Sequence, residues 1–251
     1  VVTIVAFVFV CIGGVCSVVH LATPKHAWAV VTHILSFSGI SVELIMLGIA
    51  CALMVVFVGC DVLGLPTIVK LASGLLGALS GVCLAFATGH GYLISSKPTW
   101  NTMKLPVAYT ATSLVGGAFL YLFVASMLGA NGFVMTQISG IALLCCFFNV
   151  VALGAYIGHL GRDIARTNKK LYERGIVACG MVATLVLMAV LYAMAMVSSA
   201  PDLAFSLVAF VGCAVALIGG LALRMLMWIV GAGFLSLFDQ ARDHRSAILN
   251  D

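Results

Sequence analysis

Charge is the scarcest resource in this sequence. Asp, Glu, Lys and Arg supply only 8% of its 251 residues, about a third of the ~25% with which a soluble domain hydrates its surface. An ordinary water-soluble globule is therefore excluded. Paired thiol ligands are missing too. The nine cysteines, Cys11, Cys16, Cys51, Cys60, Cys83, Cys145, Cys146, Cys179 and Cys213, form no CxxC and lie almost entirely in apolar stretches. Charged thiolates are costly in such surroundings, so a zinc or iron–sulfur centre is not expected in this chain, and the cysteines read as small polarizable packing residues. No internal repeat and no low-complexity segment stands out.

What fills the sequence is hydrocarbon. Mean hydropathy is +1.23, and apolar runs of about 20 residues recur, each long enough to cross a bilayer as a helix. Hydrocarbon cannot satisfy exposed backbone groups, so such runs must be helical. One cleavable secretory segment would account for a single run, not for a series. The windows predict seven spans, at 1–21, 37–59, 68–92, 107–129, 134–159, 175–197 and 203–230. The expected fold is all-α, a polytopic transmembrane bundle over 1–238 with a polar C-terminal tail over 239–251. Gly74 with Ala78, Gly77 with Gly81, and Gly116 with Gly117 suit close helix–helix approach. An apolar run already under way at Val1 carries the expectation that a further span precedes it.

Alternating the spans divides the basic residues unevenly. One face receives Lys25, Lys97, Lys104, Arg162, Arg166, Lys169, Lys170, Arg174, Arg242 and Arg245, the other only Lys70, and Arg224 falls within the last span. The positive-inside rule points the basic face to the cytoplasm. Within "GRDIARTNKKLYERG" (161–175), Arg162, Arg166, Lys169, Lys170 and Arg174 either flank the membrane in solvent or dock a partner protein.

Ionisable groups inside spans cost a few kcal/mol unless partnered, so their positions carry information. His20 ends the first span, Glu43 lies early in the second, His90 and Tyr92 end the third, His159 ends the fifth, and Arg224 lies late in the seventh. Alternation brings all of them toward the basic face, as one shallow layer. Glu43 has no basic residue at i±3 or i±4, so either its partner comes from another helix, Arg224 among the choices, or from a ligand, or the carboxyl stays neutral. A lipid-soluble quinol needs such a layer, because its oxidation releases two electrons and two protons. Neutral imidazole can accept a hydroxyl proton there, and a carboxylate can pass protons to water. His20 suits the first role, with Pro24 breaking the helix just beyond it.

These residues carry a resemblance. "HLATPKHAW" (20–28) resembles the HLGSP-type segment of the membrane anchor subunit of bacterial dimethyl sulfoxide reductase, a family related to polysulfide-reductase-type anchors. "SVELI" (41–45) resembles its SNEI segment, "GYLISSKPTW" (91–100) its tyrosine followed by PTW, and Arg224 its late-helix Gly-Arg-Gly. The chain departs from that pattern at Val42, His90, Leu223 and Met225. The resemblance implies eight spans, of which this sequence starts at the second. It also implies a prokaryotic inner-membrane anchor, without haem or metal of its own, that binds and oxidises menaquinol. Electrons would pass to a four-cluster iron–sulfur subunit and on to a molybdopterin catalytic subunit, with membrane lipid and no nucleic acid as the remaining surroundings. By the same resemblance the quinol residues are His20 and Glu43, and His90, Tyr92, Trp100 and Arg224 belong to the possible pocket.

Two rivals stand beside this reading. His20, His90 and His159 share one face and could ligate haem b as a bis-histidine cytochrome anchor. A secondary transporter would instead show related repeats and broken helices at the midplane. The absorption spectrum of the purified protein separates the first pair: the quinol anchor is expected to show no Soret band, and a haem b spectrum would select the cytochrome.

Overall fold

The computed structural model of the chain describes residues 1–19, 39–95, 99–160, 169–198 and 200–249, with side chains of 17–19 and 232–249 outside that description. Among the described residues the regular structure is all helix, with no strand. Seven helices correspond to the seven expected spans: α1 (Val2–Val19), α2 (Gly39–Val62), α3 (Thr67–His90), α4 (Lys104–Met127), α5 (Gly132–His159), α6 (Lys169–Val197) and α7 (Leu203–Leu249). Six are long and apolar enough to cross a membrane, and α1 is a shorter apolar helix. The last helix runs on through the polar stretch that begins at Asp239.

The chain divides into two compact units, Val1–Tyr92 and Leu93–Asp251. In the first unit, α1 packs on α2 and α2 on α3. The α2–α3 hairpin closes at Gly64, whose φ of 61° is a conformation that suits glycine. Leu65 N–H donates to the Cys60 carbonyl at 3.0 Å, the six-to-one bond of a Schellman cap. Near that turn Lys70 pairs with Asp61 and lies over the Phe57 ring, 5.4 Å from its centroid. The far end of the hairpin closes on glycine: a Cβ on Gly39 would stand 3.0 Å from Gly91 Cα.

In the second unit α4 neighbours α5 and α7, and α6 neighbours the same two, so the four helices form a closed ring. Gly129, at φ 68°, makes the same kind of cap between α4 and α5, with Ala130 N–H donating to the Ala125 carbonyl at 3.1 Å. Asn131 Oδ1 then accepts from Phe133 N–H at 2.9 Å and starts α5. The core holds Phe119, Leu122, Met135, Met188, Leu191 and Phe205, all buried.

Where the helices touch, side chains are small. A Cβ on Gly212 would collide with the Phe119 ring, and one on Gly219 would lie 2.5 Å from Gly180 Cα. Polar groups bridge the same seams. Asn149 Nδ2 donates to the Gly180 carbonyl at 2.8 Å while its Oδ1 accepts from Thr112 at 3.2 Å, so a single amide links α5 to α6 and α4. Thr136 donates to the Ala195 carbonyl, and Ser206 to Ser126 Oγ at 2.9 Å. Gly180 sits in a π-helical stretch of α6, Ile176–Ala183. Its carbonyl also accepts from Thr184 Oγ1 at 2.8 Å, so the widened turn is satisfied from two side chains where no water could serve.

Gly219→Ala should destabilise the chain by about 1–3 kcal/mol through overpacking against α6. Gly117, where an added Cβ meets nothing within 4 Å, should tolerate alanine without loss. Thermal unfolding in detergent measures both; equal midpoints for the two variants would mean that the α6–α7 contact is not limiting.

Candidate functional site

The first unit gathers ionisable and polar groups at its glycine-closed end. Glu43 lies one turn into α2 and is partly buried. Its Oε1 accepts from Thr88 Oγ1 of α3 at 3.1 Å, and Thr88 also lies 3.0 Å from the Leu84 carbonyl. His90 ends α3 exposed, its ring stacked 6.1 Å from Phe86. Tyr92 follows, partly buried, with its N–H donating to the Gly89 carbonyl at 3.3 Å. Three of the expected site residues, Glu43, His90 and Tyr92, therefore share one end of the α2–α3 hairpin. α1 reaches the same part of α2, because a Cβ on Gly14 would lie 3.2 Å from Leu47 Cδ2. His20 lies outside the described residues, as do Arg162 and Arg166 of the expected docking surface.

The second unit holds a separate aromatic cluster. Trp100 is buried, 4% exposed, and its Nε1–H donates to the Met227 carbonyl at 2.9 Å. Trp228 meets it edge-on, with centroids 5.7 Å apart at 81°. The seat exists because residue 231 is glycine; a Cβ there would collide with the indole. Arg224 is exposed, and its guanidinium lies over the Tyr109 ring at 5.3 Å. Tyr109 in turn is buried, with its hydroxyl 3.5 Å from Met227 Sδ. So Glu43 has Thr88 as its neighbour, and Arg224 has Tyr109. Tyr156 is fully buried near the end of α5. His159 ends the same helix.

Of the expected docking cations, Lys169 is turned inward, 5% exposed and 3.5 Å from Glu173 Oε1. Lys170 and Arg174 are exposed.

Sequence reasoning missed Thr88 and Tyr109. Thr88 was accessible in principle: a hairpin that reverses between Val62 and Thr67 brings the stretch around residue 86 opposite 43, and Thr88 is the hydroxyl within a helical turn of that point. Tyr109 was not, because α4 and α7 are distant in sequence and nothing in either stretch announces the pairing.

The family model described as DMSO reductase anchor subunit (DmsC) matches residues 1–233. The chain belongs to that family. It is thus a multi-pass membrane protein and the anchor subunit of an oxidoreductase complex. No curated protein and no solved structure matches it. For a DMSO reductase anchor, the unit-one cluster has useful chemistry: a carboxylate oriented by a hydroxyl, with an imidazole and a phenol at the same helix ends.

Trp100→Phe removes the donor to Met227 and should destabilise this anchor by about 1 kcal/mol; Gly231→Leu should cost more, because the indole has to leave its seat. Denaturation followed by fluorescence of the remaining tryptophans checks both, and an unchanged midpoint for Trp100→Phe would mean that the indole hydrogen bond contributes nothing.

Proposed function

We propose that this anchor oxidises menaquinol at the end of the bundle that carries Glu43, with His20 taking a hydroxyl proton and Glu43 passing protons toward water. The observation that carries the reading is the Thr88–Glu43 hydrogen bond at 3.1 Å, which holds a partly buried carboxylate one turn inside α2. At 1.5 Å per residue that is about 6 Å from the helix start, deep enough to meet a head group arriving through lipid and shallow enough to reach water. His90 and Tyr92 lie at the same helix end, which supports counting them in the proposed pocket.

Each quinol loses two electrons and two protons and leaves as quinone. The protons exit through His20 and Glu43; the electrons pass to an iron–sulfur subunit, the partner that membership of an anchor family implies, and then to a molybdopterin subunit that reduces the terminal acceptor. Exposed Lys170 and Arg174 supply charge for docking that partner, whereas Lys169 supports its own helix through Glu173.

His20→Ala should leave the complex assembled and its catalytic subunit active with artificial electron donors, while quinol-dependent turnover falls at least 100-fold, the lower range of a lost general base. Glu43→Gln should slow quinol turnover at nearly constant packing volume. Thr88→Val should slow it less, since the carboxylate itself stays. Steady-state quinol oxidation by the purified complex measures all three. Wild-type rates in both His20→Ala and Glu43→Gln would end the proposal.

A further inference from the structure

We propose that the cleft between α4 and α7 binds one anionic phospholipid, its phosphate on Arg224 and an acyl chain along the floor made by Gly116 and Gly220. The cleft has a volume of about 360 Å³, within the ~300–1,000 Å³ of sites that hold small ligands. Its floor lacks side chains: a Cβ on Gly116 would meet nothing within 4 Å, and one on Gly220 only Thr112 Cγ2 at 3.4 Å. Leu217 and Leu221 form part of its wall and are 74% and 57% exposed, so the cleft opens on the outside of the four-helix ring, where lipid lies.

The cation sits at the right depth for a head group. Asp202 caps α7 by accepting from Phe205 N–H at 2.8 Å, which marks a polar boundary. From there to Arg224 the helix rises about 33 Å at 1.5 Å per residue, close to the ~30 Å thickness of the hydrocarbon core. Trp100 and Trp228, packed edge to face nearby, are the residue type that collects at the membrane interface.

Charge selects the occupant. The Arg224 guanidinium is a cation; its ring contact with Tyr109 adds no negative charge, and among the described residues it has no carboxylate partner. A phosphate diester accepts two guanidinium hydrogen bonds in matching geometry. A choline head group would bring its own cation beside Arg224, so a lipid of net negative charge is preferred.

The test uses the anchor purified in detergent with its partner subunits. Native mass spectrometry follows retention of phosphatidylglycerol or phosphatidylcholine with matched acyl chains as detergent is raised. Phosphatidylglycerol should be retained at least ten-fold better by the wild type. R224Q should lose that preference, R224K should keep most of it, and G116L, which leaves the charge but fills the floor, should lower retention about ten-fold. The same spectra report subunit stoichiometry; should R224Q fail to assemble, G116L against wild type decides. Equal retention of the two lipids, undiminished retention in G116L, or a bound mass that belongs to an isoprenoid quinone would each overturn the proposal.

Discussion

Hydrocarbon offers a buried amide or hydroxyl no partner, and it gives two apolar helices little reason to prefer each other over lipid. The structure answers both conditions at the same places. Gly180 and Gly219 bring the backbones of α6 and α7 together, and the carbonyl of Gly180 takes hydrogen bonds from Asn149 and Thr184. Close approach and polar satisfaction are therefore one device. Asn149, 1% exposed, ties three of the four helices in its unit, and such interhelical bonds are individually worth only about 0.6–2 kcal/mol. The ring is held by several of them combined with dense contacts.

The same constraint shapes the candidate sites. A carboxylate is tolerated in α2 because it lies one turn from the helix start and Thr88 donates to it. A guanidinium is tolerated on the outer face of α7 because it sits over an aromatic ring near the interface. These are two different solutions to the expense of charge near lipid. One keeps a titratable group between lipid and water, which suits proton exchange. The other exposes a permanent cation, which suits an anionic head group.

Glycine at the α2–α3 turn and at the opposite hairpin end adds a positional consequence. Gly64 fixes where the chain reverses, and the close approach of Gly39 to Gly91 fixes how α2 and α3 meet at the other end. Between those points the register is set, so the placement of Glu43 beside Thr88 follows from a turn more than 20 residues away in the sequence. A slip of one residue would rotate Glu43 by about 100° around α2, since there are 3.6 residues per turn.

Composition and run length by themselves determined that this chain is a bundle of membrane-crossing helices, because an apolar run of that length has only one way to satisfy its backbone in lipid. The short motifs around His20, Glu43, Trp100 and Arg224 also sufficed to suggest the family, since they are local in the chain. Partnership was another matter. Only the tertiary structure decided that Thr88 faces Glu43, that Lys169 turns inward to Glu173, that Trp100 rests on Gly231, and that Arg224 lies over Tyr109. Each depends on which faces of which helices meet. In lipid that choice is set by the fit of small residues and a few hydrogen bonds, and the uniformly apolar sequence of a span leaves little periodicity from which to read it.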